Sequence, residues 1–587
     1  MSYIDYSKEP RSDIAFVDMK SFYASIECVE RGLHPLHTSL CVMSRADNSS
    51  GLILASSPMF KKVFGKGNVG RAYDLPFDVQ TRKFNYYRAK ISGLPTDAKF
   101  VSFIENWAKR TFIVPPRMDL YIQKNLEIQK VFQNYADPTD ILPYSIDEGF
   151  IDLTSSLNYF VEDKSLSRKD KLDVVSAKIQ HDIWEKTGVY STVGMSNANP
   201  LLAKLALDNE AKNTATMRTN WSYEDVETKV WNIPKMTDFW GIGSRTEKRL
   251  NKLGIYSIKE LANCDPTILK KEFGIIGVQH WFHANGIDES NVHEPYRPKE
   301  VGIGNSQVLH KDYTRQSDIE LVLREMAEQV AIRLRRRHKK ATVVAINVGY
   351  SNFENKKSIN VQRKIDPNNR TLVFQDEVVS LFRSKYDGGA VRSIAVRYDG
   401  LVDENFAVIS LFDNFEESEK EEKLETTIDS IRDRFGFLAV QKASSLLENS
   451  RAIARSRLVG GHSAGGLEGG EMIDRSYLPF KVAREYQDRK MAKWMGFFLS
   501  EHTSGLEQER NRIDYSSELS LADKLLLLNQ LYSHQLTGIL TVPGRTYVGK
   551  VKNLTFQSIS FETKEGYFSI QISDILAIDL EVEYESA

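Results

Sequence analysis

The chain is 587 residues long, and at roughly 150 residues per domain it is expected to hold about four domains. With 41% apolar and 27% charged residues it can build several cores, which excludes a wholly disordered chain. Its 78 Lys and Arg against 79 Asp and Glu leave a net charge of −1, which excludes a histone-like polycation but leaves room for local basic patches. Cys28, Cys41 and Cys264 are too few and too scattered for a disulfide scaffold or an all-cysteine zinc site. The opening MSYIDYSKEPR has no apolar signal run, and no stretch nears the ~18 apolar residues of a membrane span. A reducing cytoplasmic setting without membrane partners is the expectation.

In chain order, Ile14-Ala15-Phe16-Val17 reads as a buried strand that stops at Asp18, and Leu40–Met43 as a second strand. Residues 120–135 carry apolar groups at helical spacing (Ile122, Leu126, Val131, Phe132 and Tyr135). Two extended segments meet near Asp147-Glu148, and Lys171–Lys186 is again helical. This mixture predicts an α+β first domain over 1–225. Residues 226–295 read as helices broken by Gly241-Ile242-Gly243, Gly254 and the pair Gly274 and Gly277. An α+β unit is expected over 296–412, with a helix from Ser317 to Arg337 and strands at Thr342–Tyr350 and Arg392–Tyr398. The acidic run Glu416–Glu425 reads as a solvated face or linker within an extension over 413–459. Six glycines in the eleven residues 460–470 mark a flexible joint, 460–471. A separate module follows over 472–587, helical to about Leu531 and then a small β-barrel or sheet.

The sharpest chemical signal is acidic. Asp18 ends an apolar strand and is followed by Ser21-Phe22-Tyr23-Ala24-Ser25; Asp147-Glu148 lies between Ile146 and Phe150-Ile151. Acids in such sequence are expensive to bury unless a cation meets them. Hard divalent ions such as Mg²⁺ take oxygen ligands from a few carboxylates plus substrate phosphates. Two such ions about 3.5–4 Å apart activate an attacking hydroxyl and stabilise a leaving oxygen. Turn acids and capped strand ends give the same pattern, and periodicity alone does not bring Asp18 to Asp147.

The two runs Asp18-Met19-Lys20-Ser21-Phe22-Tyr23-Ala24-Ser25-Ile26-Glu27 and Tyr144-Ser145-Ile146-Asp147-Glu148-Gly149-Phe150-Ile151-Asp152-Leu153-Thr154 resemble the paired palm signatures of the Y-family (UmuC-like) translesion DNA polymerases. The resemblance covers residues 10 to about 465. It is closest to the branch found in Gram-positive bacteria, their plasmids and phages, suggested by the stretch ending Gly460-Gly461-His462-Ser463-Ala464-Gly465-Gly466. It implies a multidomain α+β, right-hand-like fold with palm, small fingers, helix-hairpin-helix thumb and α+β little finger. It also implies low-fidelity, template-directed extension of primers past damaged bases, in the cytoplasm at the nucleoid. A catalytically inactive repair scaffold is the alternative, and the intact acids argue against it.

By this resemblance Asp18, Asp147, Glu148 and the Met19 carbonyl would hold two Mg²⁺ ions, with Mn²⁺ able to substitute. Tyr23 would be the steric gate against ribose, with Phe22 packing the floor of the dNTP site. Lys61 or Lys62 would meet the triphosphate; the family's tyrosine in this region is replaced by Pro58. Asn199 or Pro200 stands where relatives often carry a phosphate-side lysine, and Lys204 beyond it reads as a structural or DNA-side residue. Gly241 and Gly243 would meet primer-template DNA through backbone N–H groups at a helix start. The run Arg333, Arg335, Arg336, Arg337, Lys339 and Lys340, six charges in eight residues, would contact its phosphates. Val408-Ile409-Ser410-Leu411-Phe412 is similar to the peptide that docks on the sliding clamp, with Val408 in place of the usual glutamine and Leu411 and Phe412 as the plug. The segment from Met472 through Trp494, Phe497 and Phe498 to His502, with the later β-rich part, resembles YolD-like proteins, giving a tethered partner domain at raised effective concentration.

Overall fold

In the computed structural model the described residues are 4–44, 51–64, 70–294, 302–404, 415–435, 437–447, 449–452, Phe480, Lys524, Leu528 and 537–580, the last without 544, 555–557 and 564–565. The chain divides into two compact units, Met1–Thr503 and Ser504–Ala587. Val408, Leu411 and Phe412, the 460–471 joint, Trp494, Phe497 and Phe498 lie outside the described residues.

The first unit begins on β1 (Ile14–Met19), whose apolar residues alternate between two cores. β2 (Leu40–Met43), β3 (Ile53–Ser56) and β4 (Phe112–Val114) form a small sheet in the order β3-β2-β4. β5 (Ile141–Pro143), β6 (Glu148–Asp152), β7 (Ser191–Ser196) and β8 (Arg218–Asn220) join β1 in the order β5-β6-β1-β7-β8. One face of that sheet, through Ala15, Val17, Met19 and Ile151, packs on the helices Met118–Gln133 and Arg168–Thr187. The other, through Ile14, Phe16 and Phe150, packs on the helix Pro200–Asn209 and the helices after it.

Helix Pro200–Asn209 starts on a built cap. Asn199 accepts from the Leu202 N–H at 3.0 Å, and Pro200 takes the first turn, where no N–H is needed. Its approach to β7 depends on Gly194, because a Cβ there would lie 2.1 Å from the Ala203 carbonyl oxygen. The short helices Ser244–Lys252, Ile258–Asn263, Pro266–Phe273 and Ile275–Ala284 follow, with Trp281 and Phe282 fully buried. Phe480 meets Trp281 edge-on, ring centroids 6.1 Å apart.

β9 (Ile303–Tyr313), β10 (Lys339–Tyr350), β11 (Ile359–Asn368) and β12 (Val391–Asp403) make an antiparallel sheet in the order β11-β10-β12-β9, covered by the helices Gln316–Arg335 and Thr371–Arg383. The acidic run is helical, which excludes the linker reading and leaves the solvated face. It lies in a helix, Phe415–Phe435, whose Glu425 and Asp429 meet Arg335 and whose Arg432 meets Glu328. In the second unit β13 (Thr537–Val542), β14 (Arg545–Leu554), β15 (Ser558–Thr563), β16 (Gly566–Gln571) and β17 (Ala577–Leu580) form one sheet in the order β16-β15-β14-β13-β17. It has its own core, including Leu540, Val551, Phe561 and Ile578. Among the described residues, no helix is long and apolar enough to cross a membrane.

Gly194→Ala is expected to destabilise the protein by about 2–4 kcal/mol, because the new methyl forces backbone apart. Chemical denaturation against wild type measures it.

Candidate active site

Strand pairing settles the question that periodicity left open. β1 and β6 are antiparallel with Asp18 opposite Glu148, so the two side chains share one sheet face. Next to them the Met19 N–H donates to the Asp147 carbonyl at 2.9 Å, tying the first acidic motif to the second. The turn that presents Asp147 is pinned from below, where Asn125 donates to the Ile146 carbonyl at 2.6 Å. The Ser145 hydroxyl donates to Asp147 at 2.8 Å.

The acids line a cleft of about 750 Å³ with Lys20, Ser21, Phe22, Tyr23, Pro58, Lys61 and Lys212. Phe22 is buried, and Tyr23 lies flat on Tyr121 with centroids 4.3 Å apart and planes 14° from parallel. Tyr121 donates to the buried Glu27 at 2.8 Å, and Arg117 donates to the same carboxylate. The Tyr23 ring is therefore held from behind by a fixed partner. Lys61 donates to the Ser21 hydroxyl at 3.0 Å and reaches the cleft. Lys62, one step around the helix Pro58–Phe64, is exposed and does not line it. Burial lowers the pKa of Lys61 and of Lys20.

Three further charges complete the site: Lys204, Asp208 and Lys212. Lys204 donates to Glu148 at 3.0 Å and lies 3.2 Å from Asp208, over the faces of Phe16 and Tyr144. Lys212, on the turn Ala211–Asn213, is 3.2 Å from Asp18 and 2.9 Å from Asp208. Nothing in the two acidic motifs points to Asp208 or Lys212. The signal that does is the spacing Lys204–Asp208–Lys212, four residues apart twice, which stacks the three on one face of a helix and the turn after it. Asn199, in the region where a phosphate-side lysine is expected, is buried and spends its amide on the Gly286 carbonyl at 2.8 Å.

Even with the lysines present, the acids are under-compensated. Burial, together with Glu148 and Asp147, pushes Asp18 up to about 7 against the pull of Lys212. Asp147 is pushed up to about 6 by burial and by Glu148. An all-oxygen donor set short of positive charge suits a hard divalent cation. Another cluster, His181, Asp182 and Glu185, brings ligand atoms within 4.8 Å of one another on the helix Arg168–Thr187. His181 and Glu185 are exposed and Asp182 accepts from Tyr135, which makes it a solvated helix face.

The nucleic-acid candidates divide. Gly243 opens the helix Ser244–Lys252 with space where a Cβ would be, and Gly241 takes a positive φ of 89°. Gly277, by contrast, is a packing residue, because a Cβ would lie 2.2 Å from the Leu269 carbonyl oxygen. Arg336 and Arg337 are exposed at the turn after Gln316–Arg335. Arg333 donates to the Gly304 carbonyl, and Lys339 pairs with Asp403. Lys340 is half-buried in β10. Arg335 does not belong with the phosphate contacts. It is buried, and its guanidinium donates to Asp429, Glu425, Thr371 and the Asn369 carbonyl.

The impB/mucB/samB family matches residues 17–208, its helix-hairpin-helix motif residues 223–255, and its C-terminal domain residues 301–411. "Putative UV-damage repair protein UvrX" of Bacillus subtilis (strain 168) is 35% identical over 462 residues, 78% of this chain and 100% of its own. "DNA polymerase IV 2" of Halalkalibacterium halodurans is 30% identical over 76% of this chain and 98% of its own. A Y-family DNA polymerase chimera of known structure matches at a TM-score of 0.49 and 19% identity, over 67% of this chain and 99% of its own.

The raised Asp18 carboxyl has a consequence for stability. A carboxyl whose folded pKa lies above its free value of 3.8 takes up a proton on folding, so stability falls as pH rises between about 4 and 7. Asp18→Asn removes that penalty. In EDTA its unfolding midpoint is expected to exceed wild type by roughly 3 °C at pH 8, and the two should converge near pH 4 in thermal scans.

Proposed function

The chain belongs to the impB/mucB/samB family, the Y-family of DNA-repair polymerases, and from that premise we propose that it extends primers across damaged template bases by nucleotidyl transfer from dNTP. The observation that carries this reading is the pairing of Asp18 with Glu148 beside Asp147, in a cleft that also holds Tyr23 and Lys61. Asp18, Asp147, Glu148 and the Met19 carbonyl would hold two divalent ions, Mg²⁺ first among them. When bound, these ions supply activation of the primer 3′-hydroxyl and charge neutralisation on the departing pyrophosphate. The residues do the positioning. Strand pairing fixes the acids, so little reorganisation is needed when the substrates arrive.

Lys61 meets the triphosphate, and its cost of burial is offset when a polyanion enters. The Tyr23 ring, backed by Tyr121, occupies the space that a ribose 2′-hydroxyl would need. Gly241 and Gly243 give backbone N–H groups to a DNA phosphate, and Arg336 and Arg337 give sequence-independent charge. Val408, Leu411 and Phe412 form an altered sliding-clamp peptide. The C-terminal part, with a sheet and core of its own, is read as a YolD-like partner tethered to the enzyme, in the Gram-positive branch of the family.

Primer extension with Mg²⁺ on intact and damaged templates tests the proposal. Asp147→Ala is expected to lose activity by at least about 100-fold, and Tyr23→Ala to keep extension while accepting ribonucleotides. Undiminished extension by Asp147→Ala overturns the chemistry. For DNA, Arg337→Ala should weaken primer-template binding and reduce its salt slope by about 1. Arg335→Ala should instead cost about 3–5 kcal/mol of stability by stranding Glu425 and Asp429, as denaturation would show.

A further inference from the structure

Three carboxylates and three lysines line the cleft: Asp18, Asp147 and Glu148 against Lys20, Lys61 and Lys212. Two of the lysines have partners. Lys61 donates to the Ser21 hydroxyl at 3.0 Å, and Lys212 stands 3.2 Å from Asp18 and 2.9 Å from Asp208. Lys204, which does not line the cleft, is spent on Glu148 and Asp208. Lys20 is different. Among the described residues its ammonium makes no hydrogen bond and no ion pair.

The sheet sets where this lysine stands. β1 runs beside β7 with Asp18 opposite Thr192 and Met19 opposite Ser191. One residue further, the Lys20 N–H donates to the Tyr190 carbonyl at 2.8 Å, so the pairing continues past the strand end. Side chains two apart on such a segment share a face. Met19 is accordingly buried in the core, while Asp18 and Lys20 both open on the cleft. The Ser25 hydroxyl donates to the Lys20 carbonyl at 2.5 Å and holds the backbone from its other side. The stem of Lys20 thus starts from a fixed backbone, and only its ammonium is uncommitted.

A half-buried ammonium without a partner is costly until an anion reaches it. Asp18 and Lys212 are the charges that act on it, and they oppose each other. A divalent ion on Asp18 would cancel the attraction and leave like charges in one cleft. Pro58, also in the lining, has neither an N–H nor a hydroxyl to offer. Such a cleft suits a polyanion with many acceptor oxygens. Building on the polymerase reading above, we propose that Lys20 is a phosphate-binding residue: its ammonium donates to the triphosphate of the incoming nucleotide, a contact made only when substrate is bound.

Lys20→Met keeps the stem and removes the charge. In the full chain with a dideoxy-terminated primer-template and Mg²⁺, it should bind the complementary dNTP about tenfold more weakly. Lys20→Arg should recover most of that loss. Primer-template binding without nucleotide, followed by fluorescence anisotropy, should stay within about twofold of wild type at one salt concentration. The unfolding midpoint should move by less than about 2 °C, since the folded chain loses no contact. Unchanged dNTP binding by Lys20→Met overturns the assignment. An equal loss in primer-template binding also overturns it, because the anion would then be a DNA phosphate, and a larger fall in the midpoint would make the lysine structural. If wild type binds no dNTP at the primer terminus, the polymerase reading itself fails; if wild type and Lys20→Met bind it alike, only this inference fails.

Discussion

Three carboxylates gathered in one partly dehydrated cleft repel one another and resist ionisation unless cations sit among them. Here that demand is met by Lys204 and Lys212, carried on one helix and the turn that continues it, with Asp208 between them. The compensation is incomplete, as the upward displacement of Asp18 and Asp147 records. The remaining deficit is what makes the cleft receptive to a divalent ion. A fully neutralised site would gain little from binding one, and an uncompensated one would cost the fold too much.

Much of this was legible in the chain, and the reasons differ by residue. Asp18 and Glu148 stood out because a strand that turns acidic at its end breaks an otherwise apolar run. Their meeting was not legible, since antiparallel register between β1 and β6 depends on contacts 130 residues apart. The helices Met118–Gln133 and Arg168–Thr187 followed from periodicity, because each buries one stripe against the sheet. Asp208 and Lys212 escaped because a charged stripe at helical spacing usually faces water. Only the approach of the helix to β7, permitted by Gly194, turns that stripe inward.

The basic run 333–340 shows the same limit from the other side. Six charges in eight residues read as one patch, yet a helix end distributes them by angle. Leu334 is fully buried; Arg335 beside it is 9% exposed and is caught by Glu425 and Asp429. Glu425 ends the acidic run, whose composition reads as a solvated face or linker, and Asp429 lies one turn beyond it. The two misreadings share one cause: an ion pair between segments 90 residues apart makes a structural arginine look like a ligand-binding one and a docked helix look like a tether.

The arrangement also explains why function and fold are hard to separate in this cleft. Gly194 admits the helix, the helix carries Lys204 onto Glu148, and Lys204 sits on Phe16 and Tyr144, which belong to the same core as Ile14 and Phe150. A change in the packing of β7 therefore reaches the acids through one rigid cation. Lys212, on the turn that continues the helix, joins the same network through Asp208 and Asp18. Rigidity is thereby concentrated where the geometry of the acids must persist.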